Sequence, residues 1–312
     1  MGATVVLVTG AAGFAGGHLL EQLAGSADLV GWSRSDPPPQ LATLARWQRI
    51  DVLDGGQVYD ALRVLRPRAI FHCAGLPHVA ESWNDTAGAL AVNVLGTHRI
   101  LDAVDRLGYP CRILVTGSAQ VYAPSSEPIG EEDAIAPSSP YALSKLAQEQ
   151  LALRSGTSQI DVIVTRPFNH TGPRQKPSFL APGVARQIAL IERGELEPVI
   201  KVGNMDPSRD VIDVRDVVRA YAALMASGVP GTVYNVASGI ARPVRAIVEA
   251  LVARALVPVR IEQDPSRFRP NDVPVLVGNA SRLKDATGWQ PRIPFERTID
   301  DLLDFWRKTS TP

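Results

Sequence analysis

The sequence predicts an α/β fold with a doubly wound, mostly parallel β-sheet and a smaller C-terminal lobe. Three features of the 312 residues lead to this prediction. Short β-branched segments alternate with segments of helical periodicity as far as about residue 167, which is typical of βαβ crossovers. Glycines at regular spacing follow the first apolar segment directly. Beyond residue 167 proline and glycine become denser and strands fewer, which indicates a second structural unit.

The order of the elements divides the chain. The candidate strands of the first unit are Thr4–Thr9, Asp28–Trp32, Arg49–Val52, Ala69–Cys73, Arg112–Thr116 and Asp161–Arg166. The candidate helices between them are Phe14–Ala24, Asp54–Leu65, Asp85–Leu107 and Tyr141–Arg154. The later candidates are helices at Gly183–Glu192 and Val214–Met225, and strands near Val199, at Thr232–Ala237 and near Val257–Ile261. Because the strand at 232–237 is placed to return to the main sheet, we expect residues 1–167 and 210–237 to form one domain. Residues 168–209 and 238–312 are expected to form the smaller lobe.

The charge balance and the apolar pattern exclude several classes of partner. Lysine and arginine together number 32, as do aspartate and glutamate, so no net charge attracts nucleic acid or an anionic membrane. No apolar run is long enough for a membrane-spanning helix, and Val5–Val8 is interpreted as a first strand rather than a signal peptide. Two cysteines, Cys73 and Cys111, are too few for a disulfide framework or a metal cage, so no metal is expected. We expect a cytoplasmic protein without a nucleic-acid or membrane partner.

The glycine-rich segment VTGAAGFAG follows the first strand and opens a helix. Gly10, Gly13 and Gly16 allow a turn with positive φ, a close approach of backbone to a pyrophosphate and tight packing of helix on strand. The spacing is G-x-x-G-x-x-G rather than the commoner G-x-G-x-x-G, and a glycine-rich turn without a ligand is the alternative. The position after the first strand favours a Rossmann-type dinucleotide-binding domain. The expected cofactor contacts in this loop are Gly10, Ala12, Gly13, Phe14 and Ala15.

The end of the second strand indicates which dinucleotide binds. An acidic residue usually meets a free ribose 2′-hydroxyl about twenty residues beyond the glycines. Ser33 and Arg34 occupy these positions and Asp36 comes later, and an arginine suits a 2′-phosphate. NADP(H) is therefore favoured over NAD(H), and a solvated loop arginine is the alternative. A side-chain acceptor at Asp51, interpreted as the end of the third strand, could reach the adenine amine. Further cofactor contacts are expected from Asp51, Val52, Cys73, Ala74, Gly75 and Pro167.

Tyr141 and Lys145 lie four residues apart in SPYALSKLAQEQ, so they share one face of a predicted helix. Ser118 follows a strand that ends abruptly in ILVTGSAQ, at the edge where ligands of open α/β sheets bind. A phenol is a poor acid–base group near neutral pH until a cation such as Lys145 stabilises the phenolate. The Ser118 hydroxyl can hold the substrate oxygen that Tyr141 protonates. A surface tyrosine beside a lysine is the alternative, which the combination with the glycine loop disfavours.

Together these residues resemble the extended short-chain dehydrogenase/reductase superfamily, whose members act on nucleotide-activated sugars. The resemblance covers essentially the whole chain, and three later segments are most similar to the GDP-4-dehydro-6-deoxy-mannose reductases, relatives of GDP-mannose 4,6-dehydratase. These segments are RPFNHTGPRQ, RDVIDVRDVVRAY and RFRPNDVPVLVGNASRLKDATGWQPRIPFERTIDDLL. The resemblance implies that Ser118, Tyr141 and Lys145 are catalytic, and that the tyrosine and the lysine also contact the cofactor.

The substrate side is implied in the same way. The superfamily's substrate-loop asparagine falls on Asn169, and its diphosphate-contacting arginines fall on Arg209 and Arg269. For Arg209, an ion pair with Asp210 or Asp213 is the alternative. The expected substrate contacts are His78, Ser118, Gln120, Asn169, Arg209 and Arg269. The resemblance also implies a homodimer that pairs the helices at 85–107 and 141–154 in a four-helix bundle.

The residues after Ser118 separate the reactions that share this site. Dehydratases of the superfamily carry acidic residues there, whereas Ala119 and Gln120 exchange no proton at neutral pH, so a nucleotide-sugar 4,6-dehydratase is disfavoured. A nucleotide-sugar 4-epimerase needs only the serine, tyrosine and lysine with tightly held NAD(H), and Arg34 weighs modestly against it. A non-catalytic NADP-binding regulator typically lacks the tyrosine and lysine. The sequence favours NAD(P)H-dependent reduction of the 4-keto group of GDP-4-dehydro-6-deoxy-mannose to a GDP-6-deoxyhexose, D-rhamnose or 6-deoxy-talose.

Overall fold

The computed structural model describes residues 4–268 and 273–309, so the predicted substrate contact Arg269 lies outside the described residues. The strands are β1 Val5–Thr9, β2 Asp28–Ser33, β3 Arg46–Arg49, β4 Ala69–His72, β5 Cys111–Thr116, β6 Ile160–Pro167, β7 Asn169–Thr171, β8 Val199–Val202, β9 Ser208–Asp213, β10 Thr232–Val236, β11 Ala241–Pro243, β12 Arg260–Gln263 and β13 Val275–Leu276. The α-helices are α1 Phe14–Leu23, α2 Gly55–Leu65, α3 Val79–Asn84, α4 Thr86–Leu90, α5 Gly96–Leu107, α6 Pro140–Arg154, α7 Leu180–Glu192, α8 Val214–Ser227, α9 Val244–Val252, α10 Ser281–Thr287 and α11 Phe295–Lys308.

The central sheet contains seven strands in the order β3-β2-β1-β4-β5-β6-β10. Every neighbouring pair in it is parallel. This arrangement confirms the predicted α/β fold class. Because the strands are parallel, all their carboxyl ends lie at one edge of the sheet, which is where open α/β sheets bind ligands.

Helices cover both faces of the central sheet. On one face α2 and α5 pack against the strands through Leu62 and Ile100. On the other face α1 and α8 pack through Leu20 and Leu224. The strands are therefore buried on both sides, which explains their nearly continuous apolar sequences.

The C-terminal part of the chain builds a separate apolar core. β9 pairs with β11, β13 and β7, while β8 pairs with β12. Helices α7, α9 and α11 pack together through Ile188, Val248 and Leu302. Among residues 4–268 and 273–309, no helix is both long and apolar enough to cross a membrane.

The third strand lies at Arg46–Arg49, not at the predicted Arg49–Val52. Its polar residues suit a strand with one neighbour, and the Trp32 indole donates to Gln48 Oε1 at 2.8 Å across the β2–β3 pair. The strand ends because Asp51 Oδ1 accepts from the backbone N–H two residues further on, at 2.9 Å, and turns the chain. The prediction that Asp51 ends the strand is therefore wrong, since it lies in the turn that follows.

Candidate active site

The glycine loop joins β1 to α1 at the carboxyl edge of the sheet. Gly10 has a φ of 65°, and a Cβ there would come within 2.7 Å of the backbone N of Ala74. Gly13 is the N-cap of α1, and neither a capping side chain nor an acidic residue occupies the first turn of this helix. The other predicted contacts on the same turn are Ala12, Phe14 and Ala15. The loop fits a dinucleotide pyrophosphate, because the helix N-terminus directs backbone N–H groups towards an anion.

Two arginines flank the end of β2. Arg34 follows Ser33 with an exposed side chain. Arg49 of β3 pairs in register with Ser33 and is also exposed. In the part of the chain that the structure describes, neither arginine makes a hydrogen bond or an ion pair. Arg49 was not predicted from the sequence, since only the β2–β3 register brings it beside Ser33. The pair fits a phosphate, which guanidinium groups bind through charge and fork geometry.

The backbone after β4 approaches the predicted catalytic lysine. A Cβ on Gly75 would lie 3.4 Å from Lys145 Nζ and 2.8 Å from Asn93 Oδ1, so glycine is needed here. Burial raises the pKa of the neighbouring Cys73 thiol to about 12, so this cysteine stays protonated and unreactive. Pro167 ends β6, next to the end of β5 in the sheet.

Ser118 and Tyr141 meet at this edge. Ser118 follows β5, is 6% exposed and accepts from the backbone N of Gln120 at 3.2 Å. Tyr141 is the second residue of α6, where Ser139 Oγ caps the helix by accepting from the N–H of Ala142 at 3.1 Å. Burial raises the pKa of Tyr141, and the hydrogen bond with Ser118 opposes that rise. The Tyr141 phenol is therefore protonated at neutral pH and can donate a proton.

Lys145 lies one turn after Tyr141 and is 5% exposed. Its Nζ donates to the carbonyl of Thr116 at 2.8 Å and to Oε1 of Gln148 at 2.9 Å. Burial lowers the pKa of Lys145 to about 8. The ammonium form prevails at neutral pH and is lost on mild alkalinisation.

Asn93 joins this group although it was not predicted from the sequence. The helix predicted over 85–107 is interrupted at Ala91–Leu95 by a π-helical turn, a feature that is frequent at functional sites. Asn93 lies in this turn, is fully buried, and donates Nδ2–H to Ser144 Oγ at 2.8 Å. Its Oδ1 accepts from the N–H of Leu76 at 2.9 Å. A lone asparagine inside an apolar helical pattern was the only sequence signal for it.

His78 contacts the segment that leads into α7. Its ring stacks on Phe179 at 4.3 Å between centroids, and its Nε2 hydrogen-bonds with Ser178 Oγ at 3.2 Å. Both partners precede α7. His78 thus connects the loop after β4 to the start of α7.

The other predicted substrate residues lie on two neighbouring strands and one turn. Asn169 starts β7 and is exposed, and β7 pairs with β9, which carries Arg209. Arg209 Nη1 donates to the carbonyls of Ser208 at 2.8 Å and Val273 at 2.7 Å. Gln120 lies on the 3₁₀ turn that follows Ser118.

His170 stacks parallel to Phe14 of the glycine loop at 5.8 Å between ring centroids. Its Nδ1 donates to the carbonyl of Phe168 at 3.0 Å, and burial lowers its pKa. His170 is therefore a neutral imidazole with Nε2 as its acceptor. The contact joins β7 to the N-terminus of α1.

A cavity of about 790 Å³ lies between α7 and the β8–β12 pair. Its charged lining residues are Arg186, Glu197, Lys201, Arg260, Glu262 and Arg267. The cations outnumber the carboxylates, and Arg260 is paired with Glu262 at 3.0 Å. None of these residues was predicted as a site residue from the sequence, although Arg267 opens the segment RFRPN that resembles the reductases. Ser178, which hydrogen-bonds with His78, also lines this cavity.

Comparison with known proteins identifies the family. The family profile described as GDP-mannose 4,6 dehydratase matches residues 7–302. The chain belongs to this family. The GDP-6-deoxy-D-mannose reductase of Pseudomonas aeruginosa is 39% identical over 305 residues, which is 96% of this chain and 96% of that protein. The predicted membership of the extended short-chain dehydrogenase/reductase superfamily is confirmed.

A solved structure and a second curated protein are also similar to this chain over nearly its whole length. The structure of RMD from Pseudomonas aeruginosa complexed with NADPH is similar with a TM-score of 0.86 and 38% identity, covering 97% of this chain and 99% of that one. The UDP-glucose 4-epimerase of Mycolicibacterium smegmatis is 28% identical over 97% of this chain and 99% of that protein. The match to the GDP-mannose 4,6-dehydratase family therefore extends over residues 7–302.

Proposed function

We propose that this protein reduces the 4-keto group of GDP-4-dehydro-6-deoxy-mannose with NADPH, giving a GDP-6-deoxyhexose. The observation that carries the proposal is a protonated Tyr141 hydrogen-bonded to Ser118. The two residues after Ser118, Ala119 and Gln120, have side chains that act neither as acid nor as base near neutral pH. A ketone reduction needs one proton donor, whereas dehydration needs an additional acid and base. The likeness to the Pseudomonas aeruginosa reductase supports the same choice.

The roles of the residues follow from their positions. When bound, NADPH supplies the hydride. Ser118 holds the 4-keto oxygen, and Tyr141 donates the proton to that oxygen as negative charge develops on it. Lys145 stabilises the resulting phenolate with its ammonium charge.

NADP(H) is the proposed cofactor, with NAD(H) as the alternative. The glycine loop takes the pyrophosphate at the N-terminus of α1. Arg34 and Arg49, both exposed beside Ser33, take the 2′-phosphate. The NADPH in the RMD complex supports this assignment.

The C-terminal lobe is proposed to hold the nucleotide. The cavity between α7 and β8 has room for a nucleoside and carries an excess of cations that suits a diphosphate. Residues 168–209 and 238–312 would supply this lobe, with Asn169, Arg209 and His78 at its junction with the catalytic edge. Gln120 would contact the sugar beside Ser118.

A nucleotide-sugar 4-epimerase is the second candidate. The Mycolicibacterium relative favours it, because an epimerase uses the same serine, tyrosine and lysine. Arg34 and Arg49 beside Ser33 have no partner among the described residues and suit the 2′-phosphate of NADPH. They favour the reductase instead, since an epimerase holds NAD(H) tightly.

A homodimer through a four-helix bundle is proposed from exposed apolar residues. Trp83 is 56% exposed and Leu143 is 50% exposed, and Leu90 is exposed on the neighbouring helix α4. These residues lie on α3, α4 and α6, which pack together. Covering such side chains with a second copy removes apolar area from water. The proposed compartment is the cytoplasm, since Cys73 and Cys111 are unpaired, as in a reducing environment.

The decisive experiment incubates the protein with NADPH and either GDP-4-dehydro-6-deoxy-mannose or GDP-mannose. We expect NADPH oxidation with the keto sugar and no conversion of GDP-mannose. Tyr141→Phe should lower turnover by about 10²- to 10⁴-fold while NADPH binding stays near that of the wild type, because only the proton donor is lost. Formation of a 4-keto-6-deoxy sugar from GDP-mannose would make the protein a dehydratase. Exchange of C4 epimers without net NADPH consumption would make it an epimerase.

A further inference from the structure

Gln148 lies at the centre of a buried polar network that the proposed mechanism does not use. It is fully buried, one turn after Lys145 on α6. Its Oε1 accepts from Lys145 Nζ at 2.9 Å, and its Nε2 donates to Thr97 Oγ1 at 2.8 Å. Both ends of the amide are therefore occupied, and the side chain links the lysine to α5.

The donor and acceptor roles in this network are determined by Thr97. The hydroxyl of Thr97 has one proton, which it donates to the carbonyl of Asn93 at 2.6 Å. It must therefore accept from its other neighbours, Gln148 Nε2 and His72 Nε2, the latter at 2.9 Å. Since the amide NH₂ of Gln148 is directed to Thr97, its oxygen is directed to the ammonium of Lys145.

His72 is the next member of this hydrogen-bond network, and its imidazole is neutral. Because its Nε2 donates to Thr97, its Nδ1 accepts from Thr9 Oγ1 at 2.8 Å, and Thr9 accepts from the N–H of Ala74 at 3.2 Å. Burial lowers the pKa of His72 to about 3, and the charge of Lys145 adds to the effect. The ring is therefore uncharged near neutral pH, and the tautomer is the one with Nε2–H.

No carboxylate within the described residues neutralises Lys145. The titratable groups that face it are His72, Cys73 and Tyr141, and all three are neutral near pH 7 for the reasons given above. The nearest buried carboxylate on α6, Glu149, is paired with Arg166 at 2.6 Å. The ammonium is therefore stabilised by the carbonyl of Thr116 and the amide of Gln148 alone among these residues.

We propose that Gln148 is a positioning residue, whose amide oxygen keeps Lys145 charged and directs its remaining N–H towards the backbone at Gly75 and the reacting groups. The part of this inference that concerns turnover rests on the proposed function. The amide acts through the lysine and touches neither substrate nor cofactor. Thr97 and neutral His72 hold the amide in the orientation that this role requires.

The pKa of Lys145 can be measured directly, because the chain has five lysines and their ¹³Cε resonances titrate with the side-chain charge in lysine-labelled protein. Lys145→Met identifies its resonance. In Gln148→Met, which has a similar size and no acceptor, the acid dissociation constant of Lys145 should rise about tenfold, since a hydrogen bond to a charged group is lost. In Gln148→Glu, which adds a carboxylate, it should fall. Gln150→Met is the matched control, because Gln150 is exposed on the same helix and bonds only Arg154 among the described residues.

The same variants are then assayed for NADPH-dependent reduction across pH. The alkaline limb of kcat/KM should move to lower pH in Gln148→Met and to higher pH in Gln148→Glu. A role in packing alone would lower activity in both variants without moving the limb in opposite directions, and that outcome overturns the proposal. An unchanged Lys145 pKa in Gln148→Met overturns it as well, and if that variant does not fold, the direction in Gln148→Glu decides. If the wild type does not reduce the keto sugar, the proposed function fails, while the lysine titration still decides the role of Gln148.

Discussion

The buried Lys145 ammonium makes the stability of this protein depend on pH in a way that identifies the lysine. Its pKa is about 8 in the folded chain and about 10.5 in the unfolded chain. Between these values the unfolded state holds a proton that the folded state has lost. Stability therefore rises with pH in this window, relative to a variant without the group.

Replacing the lysine by methionine tests this linkage. Below about pH 8 the wild type carries the cost of a buried charge, about 3–4 kcal/mol from the two pKa values at about 1.4 kcal/mol per unit. Lys145→Met removes that cost but leaves the acceptors of Thr116 and Gln148 without a donor, at about 1–3 kcal/mol for a buried group. The two effects nearly cancel at neutral pH. As pH rises from about 7 to 9.5, the free energy of unfolding of the wild type should increase by about 2 kcal/mol relative to that of Lys145→Met.

Urea denaturation of both proteins across this pH range measures the shift. Lys284→Met is the control, because Lys284 is exposed on α10, and its difference from the wild type should not change with pH. A difference between Lys145→Met and the wild type that stays constant from about pH 7 to 9.5 would refute the linkage. The lysine would then carry an ordinary pKa, and the interpretation of its surroundings would be wrong.

Further predictions concern the residues proposed to bind the cofactor and the nucleotide, and one buried ion pair. Arg34→Ala should weaken NADP⁺ binding far more than NAD⁺ binding in fluorescence titrations, and an equal effect on both would remove it from the 2′-phosphate site. Arg209→Ala should weaken GDP binding by about tenfold to a hundredfold in calorimetry, as expected for loss of a charged hydrogen bond, and unchanged affinity in a folded variant contradicts the clamp. Glu149→Ala should cost about 3–5 kcal/mol in urea denaturation, because it leaves the buried Arg166 guanidinium unpaired. A loss below about 1 kcal/mol would mean that water reaches Arg166.

The parallel sheet with helices on both faces could be predicted from the sequence. Strands that are buried on both faces have nearly continuous apolar sequences, and these are easily recognised. The position of the third strand could not be predicted, since its sequence RWQR is not a continuous apolar segment. An edge strand needs only one neighbour, and here the hydrogen bond from Trp32 to Gln48 and the packing of Trp47 on the core hold it. The apolar residues that follow, Ile50 and Val52, contribute to the core from a turn rather than a strand.

The residues of the proposed catalytic group could be identified from the sequence where their geometry is local. Tyr141 and Lys145 share a face because they are four residues apart, and Ser118 is placed by the end of its strand. Arg49 and Gln148 depend on contacts between distant segments, one on a strand register and the other on a helix contact with Thr97. In the sequence each is an ordinary polar residue. Only the pairing of elements reveals what it faces.

The absence of an acid or base after Ser118 is part of the packing and not only of the sequence. Ala119 is 1% exposed and belongs to an apolar cluster with Val121, Phe168 and Leu276. A carboxylate at position 119 would enter this cluster without a partner, and an unpaired buried charge is protonated or destabilises the fold. The neighbouring Tyr141 is kept protonated by burial in the same region. The surroundings that disfavour an anion next to Ser118 therefore also preserve the single proton that a reduction requires.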